Sequence, residues 1–106
     1  VEIYAKPRQG GKTTDLIRLA ADGFLYIVCV NHAEAYRIAE QAREMGFDIP
    51  FPMTWNEFVH DPPQGRQIKG FVIDNLDLCI QMMVPEPIRA VSLTMGAAVL
   101  PGAVPG

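Results

Sequence analysis

Phe24-Leu25-Tyr26-Ile27-Val28-Cys29-Val30 is an unbroken apolar run rich in aromatic and β-branched side chains. It lacks the polar alternation of a half-wet strand, so it predicts a strand buried on both faces, as in a parallel sheet. Helical patterns lie on either side. In residues 12–22, Leu16, Ile17, Leu19 and Ala20 share one face while Asp15, Arg18 and Asp22 lie off it. Gly23 is expected to close that helix as its left-handed cap. After the run, Asn31 is placed to cap a second helix, with Glu34 in the capping-box position. Over 32–45, Ala35, Ile38, Ala39, Ala42 and Met45 form its apolar stripe, and Gly46 ends it.

Working outward, Val1–Ala5 is a short β-prone run, and Ile49–Thr54 holds two prolines, so any strand there is short. Thr54 is placed to cap a helical turn over Trp55–His60, with Glu57 in the box position. Asp61–Lys69 reads as a loop, because Pro62, Pro63 and Gly65 forbid regular structure. Phe71–Asp74 reads as a strand, Leu76–Val84 as a helix stopped by Pro85 and Pro87, and Ile88–Thr94 as a further strand. This alternation predicts an α/β fold: three layers, a mostly parallel sheet of about four or five strands, and helices on both faces. The expected organisation is one domain over 1–96 and a Gly/Ala/Pro-rich tail over 97–106.

The chain has 106 residues, 49% hydrophobic and 20% charged, which suits one ordered domain and argues against disorder. Its net charge of −3 excludes nucleic-acid binding through bulk positive charge, but leaves room for a local basic site. Cys29 and Cys79 are too few for a disulfide scaffold and sit in apolar runs, so buried thiols in a reducing compartment are expected. No signal-peptide pattern opens the sequence and no apolar run reaches membrane-spanning length. The expectation is a cytoplasmic protein without membrane contact.

In open parallel sheets, ligands bind beyond the carboxyl ends of the strands. After the first strand comes Lys6-Pro7-Arg8-Gln9-Gly10-Gly11-Lys12-Thr13-Thr14, leading into the first helix. Gly11, Lys12 and Thr13 fit the end of the phosphate-binding pattern G-x-x-x-x-G-K-[ST], with Lys6 where the first glycine would stand. Gly10 and Gly11 let backbone N–H groups approach phosphate oxygens with no Cβ in the way. The helix N-terminus adds its unpaired N–H groups and positive dipole end. Lys12 supplies a charge for the outer phosphates, Thr13 a hydroxyl for Mg²⁺, and Thr14 a hydroxyl for a nearer phosphate. Lys6 and Arg8 add two more cations to this short segment.

Asp74 ends an apolar strand, where a carboxylate can hold Mg²⁺ beside the loop threonine; its plain alternative role is a helix N-cap. Asn75 follows it. An asparagine can orient a water but cannot take its proton. Asp77, Glu57 and Glu86 are the other acids available, none selected by its spacing. His32 and His60 have no metal-ligand partners nearby in sequence. Trp55 reads mainly as sheet packing, Met82, Met83 and Val84 as helix core, and Arg66 and Lys69 as loop charges.

These segments together resemble the P-loop NTPases with a RecA-like core, the ATPase domains of helicases and of phage terminase large subunits. Pro7–Thr14 is similar to the R-Q-x-G-K-[ST] loop of terminases, Phe71–Asp74 to the Walker B strand, and Ser92-Leu93-Thr94 to the motif that follows it. Tyr26–Asn31 and Pro52–Thr54 fall where helicases carry DNA-contacting motifs. The resemblance implies ATP with Mg²⁺ as ligand, Arg8 at the γ-phosphate, and Asn75 in place of the usual Glu. It also implies a weak Mg-dependent ATPase of phage or bacterial DNA metabolism, in the host cytoplasm if phage-encoded. DNA or a DNA-processing protein, and a second copy of the chain, are the implied partners. The alternative is a non-catalytic nucleotide-binding interaction module. A second resemblance, of Gly10–Arg18 to thymidine kinases, implies a nucleoside kinase.

Overall fold

A computed structural model of the chain describes residues 2–3, 12–65, 68–92 and 98–99; at 2, 3, 12, 98 and 99 it is the backbone that is described. The fold is α/β. Three parallel strands, β2 (Tyr26–Cys29), β3 (Met53–Thr54) and β4 (Phe71–Ile73), form a sheet in the order β3-β2-β4. Tyr26, Ile27 and Val28 stand opposite Phe71, Val72 and Ile73, while Val28 and Cys29 stand opposite Met53 and Thr54. β2 is central, as its unbroken apolar run requires. A separate parallel pair joins β1 (Glu2–Ile3) to β5 (Ala98–Val99). Among the described residues the main sheet therefore has three strands, fewer than expected. Two residues of the stretch read as a tail pair with the first strand.

The alternation of side chains along β2 and β4 divides the packing. Ile27, Cys29 and Val72 point to one face, where they meet Leu16, Ile17 and Ala20 of α1 (Lys12–Gly23) and Ala35, Ile38 and Ala42 of α2 (His32–Glu44). These are the stripes the helical period predicts. Ile17, Ile27 and Ile38 are fully buried, each contributing about 2 kcal/mol by area. On the other face α3 (Trp55–His60) sends Phe58 edge-on to Phe71 at 4.9 Å, and Phe71 in turn lies 6.3 Å from Tyr26.

The two long helices end differently. Gly46 (φ 79°) closes α2 in the left-handed region, and Phe47 N–H reaches back to Ala42 O at 2.9 Å. At the end of α1 the left-handed residue is Phe24 (φ 51°), not Gly23 as expected, and Leu25 N–H reaches back to Ala20 O at 2.8 Å. A Cβ at Gly23 would sit 3.2 Å from Leu25 Cγ, a tight contact with the side chain packed there.

The region after β4 departs most from the sequence reading. α4 spans Leu76–Gln81, shorter than Leu76–Val84. Met82, Met83 and Val84 lie beyond it and are exposed, not core. Residues 88–92 form no strand. The Gln81 side chain explains this locally. Its amide donates to Glu86 O at 2.8 Å and its carbonyl accepts from Ile88 N at 2.7 Å, clamping the Pro85–Pro87 segment into a turn. No helix among the described residues is long and apolar enough to cross a membrane.

Candidate functional site

Thr13 and Asp74 are 61 positions apart in sequence and meet in space. Thr13 Oγ1 lies 3.5 Å from Asp74 Oδ2, a long hydrogen bond in which the hydroxyl donates. Two elements bring them together. α1 begins at Lys12 and puts Thr13 in its first turn. β4 runs parallel to β2 and delivers Asp74 just past its carboxyl end, where Asp74 N–H still bonds Val28 O at 2.8 Å. Asp74 is 2% exposed, so its side chain is held at the sheet edge under α1. Burying a carboxylate costs several kcal/mol unless polar groups meet it, and such sites are commonly ion or ligand sites.

The remaining residues singled out from the sequence fall in three groups. Lys6, Pro7, Arg8, Gln9, Gly10 and Gly11 lie outside the described residues, as do Arg66, Leu93 and Thr94, and of Lys12 the backbone is described. Thr14 is one residue beyond Thr13, and its Oγ1 accepts from Gln41 Nε2 at 3.0 Å. Asn75 adopts a left-handed conformation (φ 55°, ψ 55°) at the start of α4, and its side chain makes no capping bond. Its carbonyl accepts from Leu78 N–H and Cys79 N–H. Asparagine tolerates this conformation far better than a longer side chain does. The backbone conformation thus suits an asparagine at 75. The helix cap is Asn75, not Asp74.

Two thiols flank the carboxylate. Cys29 Sγ donates toward Asn31 O and Met53 O at 3.4 Å, and Cys79 Sγ toward Asp74 O at 3.6 Å. Burial pushes the Cys29 thiol up to about 12, and the negative charge of Asp74 adds to the shift. Cys79 is raised to about 11 by the same two causes in the same order. Both are free, buried and protonated at neutral pH, as structural thiols are.

Glu57 is committed elsewhere. Its Oε1 accepts from Thr54 N–H at 2.9 Å while Thr54 Oγ1 accepts from Glu57 N–H at 3.1 Å, a complete capping box. These bonds to Thr54 hold the Glu57 carboxyl below its ordinary range. Trp55 is half-buried with its ring 5.7 Å from Phe58 and Nε1 3.1 Å from Met83 Sδ. His60 Nδ1 meets Asn56 O at 3.0 Å. No group of three or more metal-ligating side chains occurs among the described residues.

Thr13 and Asp74 are hard oxygen donors side by side, which suits Mg²⁺ better than a softer ion. A cleft of about 640 Å³ lies against Tyr26, Met53, Glu57 and Asp61–Gln64, where neither Thr13 nor Asp74 lines it. The sequence reading missed one participant. Gln41 lies off the apolar stripe of α2, and nothing in its spacing pointed to Thr14. No protein-family model matches this chain, and neither a curated protein nor a solved structure does.

Proposed function

We propose that the chain binds ATP with Mg²⁺ at the carboxyl edge of its parallel sheet, as a P-loop NTPase of RecA-like type and three-layered architecture. The observation that carries this is the meeting of Thr13 and Asp74 at 3.5 Å across 61 residues of sequence. A glycine-rich loop that opens a helix and a carboxylate that ends a neighbouring apolar strand are two independent sequence features. Convergence of their oxygens is what a nucleotide-bound metal needs.

In this reading Thr13 and Asp74 hold Mg²⁺, which when bound neutralises charge on the outer phosphates. Lys12 and Arg8 bind the β- and γ-phosphates, backbone N–H groups from Gln9 to Lys12 cradle them, and Lys6 and Pro7 shape the way into the loop. Asn75 orients a water by hydrogen bonding but takes no proton from it, so hydrolysis is slow. Phage or bacterial DNA metabolism, DNA or a DNA-processing partner and a homo-oligomer belong to the same proposal, through the likeness of Pro7–Thr14 to terminase loops.

Titration calorimetry with ATP and Mg²⁺ tests it. Lys12→Ala is expected to weaken binding at least about tenfold, the worth of a charge-assisted phosphate contact. Equal affinities, or no binding by the wild type, defeat the proposal. Asn75 favours a second reading, a nucleotide-binding interaction module without turnover. Steady-state phosphate release separates the two: release abolished by Asp74→Ala marks an ATPase, and none from the wild type marks a module.

A further inference from the structure

Thr14 is the end of a directed hydrogen-bond chain. Asn31 caps α2 by accepting from Glu34 N–H at 2.9 Å. Glu34 Oε2 accepts from Arg37 Nε at 3.1 Å and from Nη2 at 2.8 Å. Arg37 Nη1 reaches Gln41 Oε1 at 3.4 Å, and Gln41 Nε2 reaches Thr14 Oγ1 at 3.0 Å. The chain thus runs along α2 from the carboxyl end of β2 to the first turn of α1.

Its polarity follows from chemistry. A guanidinium has donors and no acceptor, so the Gln41 carbonyl must face Arg37 and its NH₂ must face Thr14. The Thr14 oxygen must then accept. Its own proton is left for an acceptor other than Gln41. Pairing with Glu34 keeps Arg37 charged and in place.

We infer that Gln41 is a positioning residue: it fixes Thr14 Oγ1 as an acceptor so that the Thr14 proton is presented to a phosphate group, with Arg37 setting the direction. This rests on the nucleotide-binding reading above. Gln41 touches no nucleotide in this scheme and acts through Thr14.

Gln41→Glu preserves the shape and reverses the polarity, since a carboxylate accepts and Thr14 must then donate to it. The ATP·Mg²⁺ dissociation constant is expected to rise about threefold to tenfold, one hydrogen bond's worth. The added charge is removed from the comparison by repeating the substitution in a Thr14→Val background, which has no hydroxyl. A rise at least threefold larger with Thr14 than with Thr14→Val supports the inference, and equal rises overturn it. Equal rises would mean that Gln41 does not direct the Thr14 proton. Should Gln41→Glu not fold, as thermal unfolding without nucleotide would reveal, Gln41→Met replaces it in both backgrounds with a twofold criterion. Arg37→Met, which removes the donor facing the Gln41 carbonyl, is expected to weaken binding with Thr14 and not with Thr14→Val; the same loss in both overturns the role of Arg37. Absence of binding by the wild type defeats the nucleotide-binding reading and the inference with it. Binding by the wild type with no Thr14 dependence defeats the inference alone.

Discussion

Helices α3 and α4 are each six residues long, and each follows the carboxyl end of an outer parallel strand, β3 on one side of β2 and β4 on the other. α3 starts by every local rule. Thr54 is extended, its hydroxyl caps Glu57 N–H, and the Glu57 carboxylate returns the bond. α4 starts against those rules. Asn75 sits in the left-handed region and caps nothing with its side chain. The difference lies in what precedes each helix. Thr54 ends in its own cap, whereas Asp74 is turned inward beneath α1 to meet Thr13. Local stability is given up at the turn that carries the buried carboxylate, a pattern common at functional sites.

The largest effect that would sharpen this contrast is at Asn75. Asn75→Val puts a β-branched residue at φ 55° and is expected to cost about 2 kcal/mol in urea unfolding. Asn75→Gly relieves the strain, offset by a more mobile unfolded chain, and is expected to stay within about 0.5 kcal/mol of the wild type. Equal costs for the two would break the claim that the backbone selects asparagine.

Next comes the cap of α3. Thr54→Ala is expected to cost about 1 kcal/mol at pH 7. Part of that contribution is pH-dependent. The folded Glu57 carboxyl titrates below its ordinary 4.5, so its contribution is present above that pH and is lost as pH falls through the lower folded value. Glu57 is largely exposed, so solvent screening keeps this share small. Glu57→Gln should flatten the stability curve over that acid interval; an unchanged slope would contradict the capping box. The smallest effect belongs to the segment after α4. Val91 is 64% exposed, and Val91→Ser should change stability by no more than about 0.5 kcal/mol. A larger loss would show that this stretch packs after all.

Legibility followed the reach of the interactions. The strand within the run 24–30, the stripes of α1 and α2, and the Asn31 and Thr54 caps rest on neighbours within a few residues, and each was readable, although β2 covers only Tyr26–Cys29 and Phe24 is an exposed turn residue. Gly23 was read as the cap, but the left-handed turn falls one residue later at Phe24, where Leu25 folds back on the helix end. Met82–Val84 looked like core because they are apolar, yet they lie past the end of α4 beside the Gln81 clamp and stay exposed, with Met83 Sδ meeting the Trp55 indole N–H. At the site, Thr13 and Asp74 were each suspected from their surroundings. Gln41 was not, since its partner is on another helix 27 positions away.

By itself the order of residues determined the periodicities, the Asn31 and Thr54 caps and the parallel α/β arrangement, because these follow from local backbone geometry and from which side chains avoid water. Tertiary structure alone decided that a hydroxyl at 13 and a carboxylate at 74 share one place, that Asn75 bends left-handed, and that Gln41 reaches Thr14. Those outcomes depend on how α1, α2 and β4 stack against β2. No local pattern encodes a distance across 61 residues.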